Sequence, residues 1–201
     1  MDEYNNIVIA GLWNKYVFTA EWDKKFLFQG DEVEVEFPLD PNSSERVSSK
    51  ELRINIEGQR LCIVCRKQED PIFLSAKEIA IKIADYVPHT PVSAFGINFK
   101  LAQSLTVELI KKLTMPDNDN IKSIYGTISN TQVSRQMNLD GAILTVRQDI
   151  TSENVEFNFN FHFPVISLLD VKEKLSAIDI LKLKLDSLKY LETIYDLKLG
   201  E

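Results

Sequence analysis

The chain has 201 residues, 44% hydrophobic and 26% charged, with a net charge of −7 and a pI near 5.0. That is the balance of an ordinary globular protein long enough to bury a core, and the acidic excess argues against a surface that tracks a nucleic-acid backbone, which needs clustered Lys and Arg. No apolar run approaches the roughly 18–20 residues that span a bilayer, and Met1–Asn6 lacks the basic start of a signal peptide, so a cytoplasmic protein with no membrane segment is expected.

In chain order, Asn5–Leu12 is a short apolar strand, and Glu32–Phe37 alternates Glu with Val, Val and Phe as a second. Glu32, Glu34 and Glu36 project from one face of it at about 7 Å intervals, an acidic edge that resists strand-to-strand aggregation. Between the two strands, Trp13–Phe28 holds Trp13, Tyr16, Phe18, Trp22, Phe26 and Phe28 without a clean period, a packed connection with room for one helical turn. Pro38–Lys50 combines turn formers with polar residues and reads as a loop. Leu52–Glu57 and Arg60–Lys67 flank Gly58-Gln59 as a hairpin. Within it, Cys62 and Cys65 lie three apart on a strand and so face opposite ways, which predicts buried or half-buried free thiols rather than a shared metal or a disulfide.

A helix is predicted over about 75–87, its start marked by the capping-box spacing of Ser75 and Glu78 and its end by Pro88 and Pro91. Val92–Leu101 returns as a strand, and Ser104–Leu113 has the Leu105, Leu109, Leu113 spacing of a short helix. Met115–Asn120 punctuates the middle of the chain. Ile121–Ser129, Gln132–Leu139, Ala142–Asp149 and Val155–Phe163 then read as four strands, with Asp140-Gly141 as the strongest hairpin turn. In the last of these, Phe157, Phe159, Phe161 and Phe163 alternate with Asn158, Asn160 and His162, so one face lies on a thick core and the other is polar. A long helix from about 170 to 196 closes the chain, with Asp170 and Glu173 at capping-box spacing and Val171, Leu175, Ile178, Leu185, Leu188 and Tyr195 as its main stripe.

This order predicts an α+β fold: a large, mostly antiparallel sheet with the 75–87 and 170–196 helices packed on its Phe-lined face. The recurrence of hairpin then helix admits a duplicated β-β-α unit, with halves at about 1–115 and 116–201, as well as one continuous domain over 1–201.

Chemistry-bearing motifs are sparse. The seven glycines are scattered, so no phosphate-cradling loop is present, and no Gly-x-Ser-x-Gly elbow stands out. Asp117-Asn-Asp119 opens like a calcium loop but lacks the Gly and Glu that complete one. No metal or cofactor is therefore expected, and the inventory leans away from an enzyme. His89 sits in a proline-bracketed turn, Val87–Pro91, of the kind that holds a side chain still for recognition, while His162 is placed to pair with Glu156 or an anion. Beside its main stripe the C-terminal helix carries Ile180, Leu183, Leu191, Ile194 and Leu197, wider than one sheet contact requires.

The leading expectation is accordingly a protein-interaction or assembly module, either a subunit of a larger complex or a homodimer, with those five residues as its interface. The alternative is a small-molecule binding protein or enzyme with a cavity between a curved sheet and the C-terminal helix, its polar groups supplied by Asn98, Asn158, Asn160 and His162, with His89 as a further ligand candidate. A nucleic-acid module would need Lys100, Lys111, Lys112, Lys122, Arg135 and Arg147 to converge, against the net charge.

Overall fold

A computed structural model describes residues 4–29, 32–37, 46–113, 123–124 and 128–197. The 38–45 part of the expected loop and the 115–120 punctuation lie outside the described residues, as does most of the expected 121–129 strand. Nine strands form one antiparallel sheet in the order β2-β3-β4-β5-β1-β6-β9-β8-β7. They are β1 (Tyr4–Gly11), β2 (Glu34–Glu36), β3 (Arg46–Ser48), β4 (Leu52–Glu57), β5 (Arg60–Cys65), β6 (Val92–Ser104), β7 (Thr131–Leu139), β8 (Ala142–Ile150) and β9 (Asn154–Pro164). Among the described residues, the helices with full bounds are α1 (Ala20–Phe26), α2 (Asp70–Tyr86), α3 (Val107–Lys112), α4 (Leu168–Ala177) and α5 (Ile180–Tyr195). The α+β class and the large antiparallel sheet stand as the sequence predicts.

The chain divides into two compact units: Met1–Asn98 with His162–Leu181, and Phe99–Phe161 with Lys182–Glu201. In the first, the hairpin β4–β5 turns at Gly58, whose φ of +60° is the left-handed conformation that glycine adopts without steric cost. Register pairs Ile54 with Ile63, Ile63 with Ile7 and Ile7 with Ile97. Directly opposite residues share a sheet face, so one row of isoleucines crosses four strands, and all four are buried. α2 packs on β1, β5 and α4. Its buried stripe of Ile72, Phe73, Ala76, Ile79, Ala80 and Ile83 follows the helical period. Phe95 stacks on Phe163 at 4.7 Å between ring centres.

The boundaries of α2 differ from the sequence reading. The helix begins at Asp70, with Glu69 as its N-cap and a proline in its first turn, and Ser75 is an interior residue whose hydroxyl donates to the Pro71 carbonyl at 3.0 Å. Proline, with φ pre-set and no amide hydrogen to satisfy, starts the helix where Ser75 was expected to.

The second unit contains the β7–β8 hairpin, paired residue for residue from Thr131–Ile150 to Leu139–Ala142 around Gly141. α5 covers β9 there: Phe157 lies 5.1 Å from Tyr195 and Phe159 lies 5.6 Å from Tyr190, ring centre to ring centre. Ser123 and Ile124 are helical rather than extended.

The single C-terminal helix expected over 170–196 is two helices. Ser167, not Asp170, caps α4, accepting from the Asp170 amide at 3.2 Å. Ile178 is extended, and the Asp179 carboxylate accepts from the Leu181 amide at 3.1 Å as a fresh N-cap for α5. The break resets the helical phase. Leu185, assigned to the buried stripe, is 63% exposed, and the buried face of α5 is Ile180, Ser187, Leu191 and Tyr195.

Candidate functional site: the two sheet edges and the polar sheet face

A sheet end leaves a row of backbone N–H and C=O groups without a partner strand, and proteins guard such rows with brevity, charge or proline. The two ends of this sheet are treated differently. β2 is three residues long and carries Glu34 and Glu36 outward, with Glu36 3.7 Å from Arg46 and Glu34 3.6 Å from Arg66. It is the expected acidic edge, shortened to three residues, with Glu32 outside the strand.

β7, at the other end, is nine residues long. Its exposed side chains Gln132, Ser134, Gln136 and Asn138 are neutral, and it contains no Pro, Lys, Asp or Glu. The inward alternates Thr131, Val133, Arg135 and Met137 are only half-buried, whereas Ala142, Val146, Gln148 and Ile150 on the neighbouring β8 are buried. The core layer therefore continues under β7 without being fully covered.

Arg135 is the one charge on this strand, and its guanidinium donates to the Tyr195 hydroxyl at 3.2 Å. The Gln148 amide donates to the same hydroxyl. The Gln148 Oε1 atom is buried without a hydrogen-bond partner among the described residues. Burial and the neighbouring Tyr195 push the Tyr190 phenol above its ordinary pKa. At the end of α5, Lys112 pairs with Asp196 and holds that carboxyl below its usual range.

The polar face of the second unit is a hydrogen-bonded ladder rather than an open surface. Asp149 on β8 accepts from Gln132 Nε2 at 2.5 Å, Arg147 Nε at 2.8 Å and Asn158 Nδ2 at 2.8 Å. Lys100 and Glu156 pair at 3.0 Å. Asn158 is buried and committed to Asp149, Asn160 is half-buried, and Glu156 pairs with Lys100 rather than standing free for His162. In the first unit, Asn98 is buried and donates to the Asn5 carbonyl at 2.8 Å, while His89 and His162 are exposed. None of these five ligand candidates lines the clefts described at Lys24–Lys67, Ala10–Ser93 or Leu27–Lys82. Of the five helix residues taken as an interface, Ile180 and Leu191 are buried within the chain, Leu183 and Leu197 are half-buried, and Ile194 is 52% exposed.

Both thiols are buried and free, and burial pushes each up to about 12. Among the described residues no group of three His, Cys, Asp or Glu side chains could hold a metal ion, and no helix is long and apolar enough to cross a membrane.

The β7 edge escaped the sequence reading because strand order is a long-range property. The available signal is the contrast between the acidic alternation at 32–37, of which 34–36 is strand, and the 132–139 strand, whose one charge is Arg135. Compared with protein-family models, with curated proteins and with solved structures, the chain matches none.

Proposed function

We propose that the protein is an assembly module that associates by adding a strand at the β7 edge, and that the added strand is β7 of a second copy. The observation that carries this reading is the nine-residue edge, which among the described residues carries no proline and one charge, Arg135, and whose inward residues are left half-buried. A further strand would satisfy the outward backbone groups and complete the cover over Val133 and Met137, the usual source of affinity in strand addition. A two-fold pairing centred on Ser134 sets Gln132 against Gln136, Val133 against Arg135 and Thr131 against Met137. No like charges then stand opposite each other. The filled contacts between β9 and α5 in the second unit favour this reading over a cavity beneath the C-terminal helix.

Light scattering on a sizing column over a concentration series tests it. The unaltered chain should approach twice its 23.0 kDa mass with rising concentration. Ser134→Lys, which opposes two ammonium groups across the axis, should stay at 23.0 kDa with an unchanged melting curve at low concentration. A monomer at every concentration, or a dimer indifferent to Ser134→Lys, would contradict the proposal.

A further inference from the structure

Independently of the β7 edge, the first unit holds a cleft of about 750 Å³ between the end of α1, β2, β3 and the residues after β5. That volume lies within the range of small-molecule sites. In a chain of net charge −7 its lining is locally cationic, with Lys24, Lys50, Arg66 and Lys67 against Glu32 and Glu34.

The cations are not equally engaged. Lys67 lies 3.7 Å from Glu69, and Arg66 is steadied by the Ser49 carbonyl at 3.2 Å and by Glu34 at 3.6 Å. Lys24 and Lys50 form no ion pair among the described residues. Ser48 adds a hydroxyl to the same wall. It is 4% exposed and lines the cleft, yet its hydroxyl makes no hydrogen bond within the described chain. Ser49 differs, because its hydroxyl accepts from the Glu51 and Leu52 amides and is spent on the turn. A hydroxyl at the wall of the cleft can donate to a bound group.

Two ammonium groups without an ion pair among the described residues, a guanidinium held in place with spare N–H donors and a serine hydroxyl form the donor set of a phosphoryl site. Glu32 and Glu34 would repel a bare anion but accept from hydroxyl or amino groups. We infer that the cleft binds a small phosphorylated molecule whose remaining part carries such donors, with the phosphoryl group on Lys24, Lys50, Arg66 and Ser48.

Calorimetric titration of the full chain with glucose 6-phosphate, inorganic phosphate and glucose tests this. Glucose 6-phosphate should bind saturably and more weakly as salt rises, inorganic phosphate less tightly, and glucose not at all. Lys24→Ala with Lys50→Ala should weaken glucose 6-phosphate about tenfold or more, since each lost charge-assisted bond is of that order. Both lysines are exposed, so melting should not change; Lys189→Ala, also exposed, should change neither. Ser48→Ala should weaken binding several-fold. Absence of saturation at millimolar ligand, or an affinity untouched by the lysine pair, would overturn the phosphoryl site. Equal affinity for inorganic phosphate would overturn the role given to the two glutamates.

Discussion

Asn6 shows how one side chain can stand in for backbone. The β1–β5 register shifts between Asn5 and Ile7, so Asn6 occupies a bulge, which leaves a residue unpaired in the ladder. Its Oδ1 accepts from the Cys65 amide at 2.9 Å and its Nδ2 donates to the Asn98 carbonyl at 3.3 Å, with the residue fully buried. Asn6→Ala should cost about 1–3 kcal/mol, because it strands a buried amide and carbonyl; a urea unfolding curve measures it. The thiols give a second prediction. With pKa values raised to about 12 by burial, Cys62 and Cys65 hold their protons longer in the folded chain than in the unfolded one. Their stabilising contribution is complete below the ordinary 9.0 and is lost as pH climbs from there towards about 12. Near neutral pH a disulfide reagent should label neither cysteine until the protein unfolds, then label both; rapid native labelling would contradict the burial of this strand. Cys62 and Cys65 were legible as opposite-facing buried residues from strand period alone. Asn6 was not, since nothing local distinguishes it from Asn5; the bulge exists only once β1 has found β5 and β6.

At the scale of elements, period carries far and punctuation less so. The Phe157–Phe163 alternation, the Gly58 and Gly141 hairpins and the apolar stripe of α2 could be read because each is a short-range pattern with one satisfactory structure. Helix starts are less legible where two caps compete, as Ser167 and Asp170 do at α4. The break at Ile178-Asp179 was hidden because neither residue is Gly or Pro and both fit a continuing helix. The Asp179 carboxylate makes the break hold by satisfying an early α5 amide. Asp179→Ala should therefore cost about 1 kcal/mol, measured as a lowered melting midpoint, whereas the neighbouring exposed Ser176→Ala should be close to neutral. Gly11 is a tighter constraint. A Cβ there would lie 2.5 Å from the Pro91 carbonyl oxygen, and Gly11 also donates to the Gln59 carbonyl at 2.9 Å. Gly11→Ala should destabilise by about 1–3 kcal/mol through overpacking, with the denaturant midpoint as the readout.

For the molecule as a whole, the α+β class followed from element order, whereas the candidate site did not. An unbroken C-terminal helix would carry two apolar stripes and present one of them as an interface. With the break, Ile180 and Leu191 belong to the core, and the sheet's own topology sets a long strand with a single charge, Arg135, at the edge. Self-association through that strand is the central claim, and the most direct measurement is geometric. A two-fold axis at Ser134 brings the two copies' residue 134 side chains directly opposite, within the Cβ separation at which paired strands interact. Ser134→Cys, mildly oxidised, should form a covalent dimer readily, since the native thiols are buried and inert. Lys189→Cys, on the exposed side of α5, should not. Cross-linking of Ser134→Cys no faster than that control would contradict assembly through β7.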